Sequence, residues 1–214
     1  IDRKEKATIL WCGRYLGWKH PDDVIEVARR LRDAGCCFRI EMIGSGEMEP
    51  RLRQLASEAG LLDTNIQFLG AMSPEDVRRH MEKAGIYLFT SDRQEGWGAV
   101  LNEAMNSGCA VVAGDAAGAT PFLVQDGANG SVYHSGDVQE LYEKVRRLLD
   151  DPSTQRAFGS AAYRTITGLW NAETAAERFL QLSQALLDGR DATKLFADGP
   201  CSPASLLRED WYRK

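Results

Sequence analysis

The sequence predicts an α/β protein: six parallel strands in one sheet, joined by right-handed crossovers and wrapped by helices on both faces. Two observations carry that prediction. Short apolar runs and amphipathic helical patterns alternate along most of the chain, one pair every 20 to 30 residues or roughly so. Glycines stand where several of these runs give way to the next helix, as tight strand-to-helix turns require. The resulting class is a Rossmann-like sheet.

The first unit is the strand Thr8-Ile9-Leu10-Trp11-Cys12-Gly13, followed from Pro21 by a helix with Val24, Ile25, Val27, Ala28 and Leu31 on its apolar side. Between them, Gly13-Arg14-Tyr15-Leu16-Gly17-Trp18-Lys19-His20 is a loop with two cations five residues apart. It leaves the carboxyl end of a strand, where open α/β sheets hold their ligands. The second strand, Phe38 to Ile43, passes through Gly44-Ser45-Gly46 into a helix from about Met48 to Ala59. The turn matches a dinucleotide fingerprint only weakly, since the third glycine and the later acidic residue are missing. That turn either lies near a bound nucleotide or simply lets strand and helix pack closely. Asn65 to Gly70 is the third strand, and Ser73-Pro74-Glu75 starts the next helix with a cap, a first-position proline and an acid. Ile86 to Thr90 forms the fourth strand, with Ser91-Asp92-Arg93-Gln94 leading to Glu95. Ala110 to Ala113 is the fifth and Ser131 to His134 the sixth, after a turn at Asp126-Gly127-Ala128-Asn129-Gly130. Helices follow over Asp137 to Leu149, Ser153 to Leu169 and Glu173 to Leu187, the last two expected to cover the sheet edge. Residues 1–187 thus form one domain, and 188–214, with a late Trp211-Tyr212, form a tail without clear period.

Composition narrows the function. In 214 residues, 43% hydrophobic and 27% charged content suits one substantial core and argues against disorder. A net charge of -5, with scattered Lys and Arg, excludes a nucleic-acid footprint. No apolar run is long enough to cross a bilayer and no signal pattern opens the chain, so a cytoplasmic location is expected. A start at Ile1, a few residues before a strand, suggests numbering that begins inside a longer protein. The five cysteines are odd in number and lack metal spacing, and His20, His80 and His134 stand far apart, so no metal site is predicted. No serine lies in a nucleophile elbow and no cysteine has a nucleophile's surroundings.

The most informative stretch runs from Glu95 to Gly108. Gly96 and Gly98 around Trp97 allow a sharp turn with uncovered amides, and a helix beginning at Ala99 aims its unpaired N–H groups into that turn. This is a seat for an anion. On the helix, Val100, Leu101, Ala104 and Met105 share one side while Asn102, Glu103 and Asn106 share the other. A polar stripe of that kind is ordinarily a solvated face.

Two glutamates separated by seven residues, with Gly-aromatic-Gly after the first and Ala-Met-x-x-Gly after the second, resemble the signature of the retaining family 4 glycosyltransferases and their GT-B relatives. These are the glycosyl transferases group 1. The resemblance covers about residues 7–187 and implies the C-terminal, donor-binding half of a GT-B fold. It implies that Glu95 and the loop Gly96, Trp97 and Gly98 address the transferred sugar, that the helix starting near Ala99 helps hold the diphosphate, and that Glu103 holds the ribose. Arg14 and Lys19, with Gly13, would neutralise the diphosphate, making Glu95, Arg14 and Lys19 the catalytic set. Gly44 and Gly46 would lie near the nucleotide. The implied enzyme is a hexosyltransferase taking a nucleoside-diphosphate sugar, with UDP the expected nucleotide, and no separate cofactor. Its acceptor would be a glycan or lipid-linked sugar, as in polysaccharide biosynthesis. A missing N-terminal domain would supply most of the acceptor site and any peripheral membrane contact, and the tail would cross to it, leaving the isolated fragment inactive. Two departures stand out: His20 replaces the glycine usual after the lysine, and Phe122 the glutamate of a Gly-Gly-x-Pro-Glu segment, which turns that position to packing. A sugar-nucleotide epimerase of GT-B architecture and a non-catalytic nucleotide-binding module are the competing readings.

Overall fold

The computed structural model describes residues 4–204. Six strands, β1 (Glu5–Cys12), β2 (Arg39–Ile43), β3 (Ile66–Gly70), β4 (Ala84–Phe89), β5 (Ala110–Gly114) and β6 (Ser131–Tyr133), form one sheet in the order β3-β2-β1-β4-β5-β6. Every pairing is parallel. Such a sheet needs cover on both faces, and the sequence supplies it. All residues of β4 and β5 are buried, and alternate positions feed two separate cores. Ile9, Ile40, Ile86 and Val112 face one core, closed by helices α1 (Pro21–Asp33), α2 (Glu49–Glu58) and α6 (Val138–Asp150). Leu10, Tyr87, Val111 and Ala113 face the other, closed by α3 (Pro74–Lys83), α4 (Ala99–Asn106), the short α5 (Thr120–Leu123) and α7 (Pro152–Gly168).

The strand order positions the site. From β1 the chain winds outward through β2 to β3, then returns across the sheet to β4 on the other side of β1 and winds the opposite way. At such a reversal, the loops leaving two neighbouring strands diverge and open a crevice at their carboxyl ends. Here those loops are 13–20 after β1 and 90–98 after β4.

Three details differ from the sequence reading. The fourth strand starts two residues earlier, at Ala84, because Ala84 pairs with Glu5. Helix α7 does not cover an edge: it lies on the sheet face against β4, β5 and α4. Helix α8 (Ala172–Leu187) buries only Ala185 and leaves Phe179, Leu180, Leu186 and Leu187 exposed. Beyond it, residues 188–204 contain no helix or strand. They rest on α8 through Arg178, whose guanidinium lies 4.7 Å from the Phe196 ring and donates to the carbonyl of Asp198. Trp211-Tyr212 and the end of the tail lie outside the described residues.

The loops after β1 and β2 are fused at the backbone. Gly13 N–H donates to Ile43 O at 3.0 Å and Tyr15 N–H to Ser45 O at 2.9 Å. Gly44 has φ of +141°, and a Cβ there would lie 1.8 Å from Gly13 O. The glycines of this turn therefore permit loop-on-loop contact rather than the strand-helix packing considered from sequence. Gly44→Ala is expected to cost about 3 kcal/mol or more, from backbone clash and strain together. Gly35→Ala, also at positive φ but with nothing within 4 Å, should cost only about 1 kcal/mol. Denaturant unfolding of the two variants checks this, and equal losses would show that the loop contact carries no stability.

Candidate functional site

Tyr15 sets the direction of the first loop. It is fully buried, stacks on Trp11 at 5.5 Å and donates its hydroxyl to Met42 O at 3.1 Å, so the loop is pinned inward at that residue. Arg14, its neighbour, is left exposed and has no partner among the described residues. A 3-10 turn at Gly17–Lys19 then carries Lys19 back over the sheet. His20 ends that turn with φ 46° and ψ 51°, the left-handed conformation a glycine would adopt most easily. Its ring, 3.2 Å from the Asp92 carboxylate, helps hold the strained residue in place.

Across the crevice, Lys19 Nζ meets Glu95 Oε2 at 2.5 Å, each side chain only 14% exposed. The ammonium also lies 4.4 Å from the centroid of the Trp18 ring, a cation–π contact. Ser91 Oγ donates to the same Glu95 oxygen at 3.3 Å. The structure thus brings Lys19 and Glu95 into direct contact across 76 residues of sequence.

The glycine loop that follows is turned by segment 118–119. Gly118 N–H donates to Glu95 O at 3.1 Å and Ala119 N–H to Trp97 O at 2.9 Å, drawing the loop's carbonyls to one side. The N–H groups of Gly96, Trp97, Gly98, Ala99 and Val100 have no acceptor among the described residues. Gly98, at φ 87°, ends the loop in a conformation costly for other residues, and no side chain caps α4. Unpaired amides at and just before a helix start are suited to an anion.

Glu103, one turn further, is exposed and lines a groove between α3 and α4 with Pro74, Arg78, Met81, Asn106 and Ser107. The Cys12 thiol at the end of β1 is raised to about 11, chiefly by burial and further by the charge of Glu103, while Lys19 pulls it down. Both charged groups therefore act on Cys12 electrostatically. Gly44 and Gly46 abut the first loop, where a Cβ would clash with Gly13 O and Tyr15. Trp97 turns outward: its indole donates to Asn102 Oδ1 at 2.8 Å, and its ring packs 5.7 Å from Phe122 and 5.8 Å from Trp170. Phe122 thus makes a packing contact, as the sequence implied.

A sequence profile of the family described as glycosyl transferases group 1 matches residues 2–165. The chain belongs to this family. Among curated proteins it is 30% identical, over 188 residues, to the GDP-mannose-dependent monoacylated alpha-(1-6)-phosphatidylinositol monomannoside mannosyltransferase of Corynebacterium glutamicum, covering 85% of this chain and 48% of that protein. A related mannosyltransferase of Mycobacterium tuberculosis is 26% identical, over 89% of this chain and 49% of that one. The chain spans about half the length of these curated relatives. Among solved structures, HepE of Anabaena in complex with UDP superposes with TM-score 0.73 at 24% identity, covering 85% of this chain and 49% of HepE. The C-terminal domain of the group 1 protein LpcC from Francisella tularensis superposes with TM-score 0.69 at 25% identity, over 80% of this chain and 89% of that domain. The fold is thus that of a Rossmann-like GT-B C-terminal domain in the glycosyl transferases group 1 family.

Three residues to which the sequence reading gave no role in the site, Thr90 as the end of a strand and Ser91 and Asp92 as connection, prove to touch both sides of the crevice. Their signal was available: a short polar run at the carboxyl end of a strand beside the reversal of strand order.

One titration at the rim of this group 1 site is measurable. Burial raises the Asp23 carboxyl to about 6 from an ordinary 3.8, with His20 opposing and Asp22 and Glu26 adding to the rise. Between those two values the folded chain binds more protons than the unfolded one. The contribution of Asp23 to stability therefore falls as pH rises through that window and levels off above it. Asp23→Asn should gain stability relative to the parent chain between about pH 4 and pH 6, as read by denaturant unfolding. A pH-independent difference would contradict the assignment.

Proposed function

We propose that this chain is the donor-binding half of a retaining glycosyltransferase that moves a hexosyl group from a nucleoside-diphosphate sugar to a glycan or lipid-linked acceptor in polysaccharide or glycolipid biosynthesis. The observation that carries the reading is the Lys19–Glu95 pair beside five uncommitted backbone amides. Cation and amides together suit a diphosphate, and the carboxylate suits sugar hydroxyls, which can donate to both of its oxygens.

In this account the donor exchanges into the pair. Lys19 Nζ turns to the phosphate, joined by the free Arg14 guanidinium and the amides of Gly96 to Val100, while Glu95 accepts from the sugar. Glu103 accepts from the ribose hydroxyls. Gly13, Gly44 and Gly46 shape the two fused loops beside the nucleotide. As the bond from the anomeric carbon to phosphate oxygen breaks, negative charge grows on the diphosphate, where these donors stabilise it more than in the ground state. The acceptor oxygen bonds the anomeric carbon on the same face and its proton passes to the departing phosphate oxygen. No protein nucleophile is required. UDP is the proposed nucleotide, and GDP, the carrier in the mannosyltransferase relatives' names, is the competitor. Among the described residues no helix is long and apolar enough to cross a membrane. We place the protein in the cytoplasm, its acceptor site largely in an N-terminal domain that the tail would cross to meet, so that the isolated chain binds donor without transferring sugar.

Calorimetric titration with UDP, UMP, GDP and GMP tests this reading. One diphosphate should bind, and bind more tightly than its monophosphate. Arg14→Ala with Lys19→Ala should reduce that preference about tenfold or more, whereas Glu103→Ala should weaken both partners of the pair alike. Failure of every nucleotide to bind, or equal loss for diphosphate and monophosphate in the double variant, would overturn the proposal.

A further inference from the structure

We infer that Thr90, at the carboxyl end of β4, is a positioning residue that sets where Lys19 presents its ammonium. Ser91 and Asp92 complete the same clasp. The inference rests on the proposed role of Lys19 and goes beyond it to a residue that touches no ligand.

Thr90 is 1% exposed, and its hydroxyl makes two hydrogen bonds. It accepts from the indole N–H of Trp11 on β1 at 2.9 Å and donates to the carbonyl of Lys19 at 2.6 Å. With its donor occupied and its acceptor fixed by a buried ring, the hydroxyl has one usable orientation, so the Lys19 carbonyl is tied to the floor of the crevice. The residues on either side of Lys19 are held from the same strand end. Asp92 N–H donates to Trp18 O at 2.9 Å, and the Asp92 carboxylate lies 3.2 Å from the His20 ring. Three successive residues of the cation loop are thus gripped by Thr90 and Asp92.

The grip has a physical reason. His20 is in the left-handed region without being glycine, a conformation that surrounding contacts must stabilise. Relaxation of His20 would rotate the preceding peptide and with it the Lys19 carbonyl that Thr90 holds. Ser91 serves the other partner. Its hydroxyl donates to the Glu95 oxygen that Lys19 also holds, so the carboxylate keeps one anchor when the ammonium turns to phosphate.

The experiment compares Thr90→Val, which keeps the shape and removes both hydrogen bonds, with Thr90→Ser, which keeps them. UDP, UMP, GDP and GMP are titrated into each variant and into Lys19→Ala, with thermal unfolding followed in parallel. Thr90→Val is expected to lower the ratio of diphosphate to monophosphate affinity about tenfold, a typical result of misplacing one charged contact, and Thr90→Ser to restore it. A purely structural role would lower the unfolding temperature and leave the ratio intact, and that result overturns the inference. Should Thr90→Val fail to fold, Thr90→Ala removes the same hydroxyl and both of its hydrogen bonds. A lowered ratio then supports the inference and an unchanged one overturns it. If Lys19→Ala itself leaves the ratio unchanged, the proposed role of Lys19 falls. If Lys19→Ala lowers the ratio and Thr90→Val does not, only the positioning role falls.

Discussion

Lys19 and Glu95 meet across the line where the order of strands reverses, and most of the unusual features of this molecule serve that meeting. An ion pair withdrawn this far from water gives up much of its hydration, and its attraction offsets that cost only if both groups are well oriented. Orientation here comes from neighbours. Trp18 lies under the ammonium, Ser91 donates to the carboxylate, Thr90 holds the lysine's own carbonyl, and His20 accepts a left-handed backbone to end the turn. None of these contacts is demanded by a parallel sheet as such.

The same pair shapes how a charged ligand can enter. With Lys19 neutralised by Glu95, the crevice does not offer a bare cation, and under the proposed donor reading an incoming diphosphate competes with the carboxylate for the ammonium. Binding is then an exchange of one charge-assisted contact for another, with a surplus set by the amides of Gly96 to Val100 and by Arg14. This favours a ligand that satisfies both sides at once. A diphosphate joined to a sugar would do so, giving phosphate oxygens to the lysine and hydroxyls to the glutamate, whereas phosphate alone would leave the carboxylate only the Ser91 hydroxyl.

Much of the architecture was legible in the sequence because apolar period and turn glycines are local signals. The runs at Thr8, Phe38, Asn65, Ile86, Ala110 and Ser131 all became strands, and the loop at Glu95 lies at the carboxyl end of β4 as read. What stayed hidden depends on contacts between distant residues. Helix α5 has four residues, too few to show a period. The placement of α7 on the sheet face rests on its contacts with α4, β4 and β5, all distant from it in sequence. Gly44 read either as lying near a nucleotide or as packing its own strand and helix, and its close neighbour is Gly13, 31 positions away. Thr90 read as the last residue of a strand, and only the fold reveals that its hydroxyl spans Trp11 and Lys19. His20 was marked as a departure from the family pattern, and it adopts a left-handed backbone that a glycine would take most easily.

The central claim is that Lys19 and Glu95 part to admit a diphosphate sugar. A crystal structure of the chain soaked with UDP-glucose or GDP-mannose tests it most directly. The account predicts phosphate oxygens within hydrogen-bonding distance of Lys19 Nζ and of the amides between Gly96 and Val100, with Glu95 turned to the sugar. Nucleotide sugar bound elsewhere, or bound here with the Lys19–Glu95 contact intact, would contradict it.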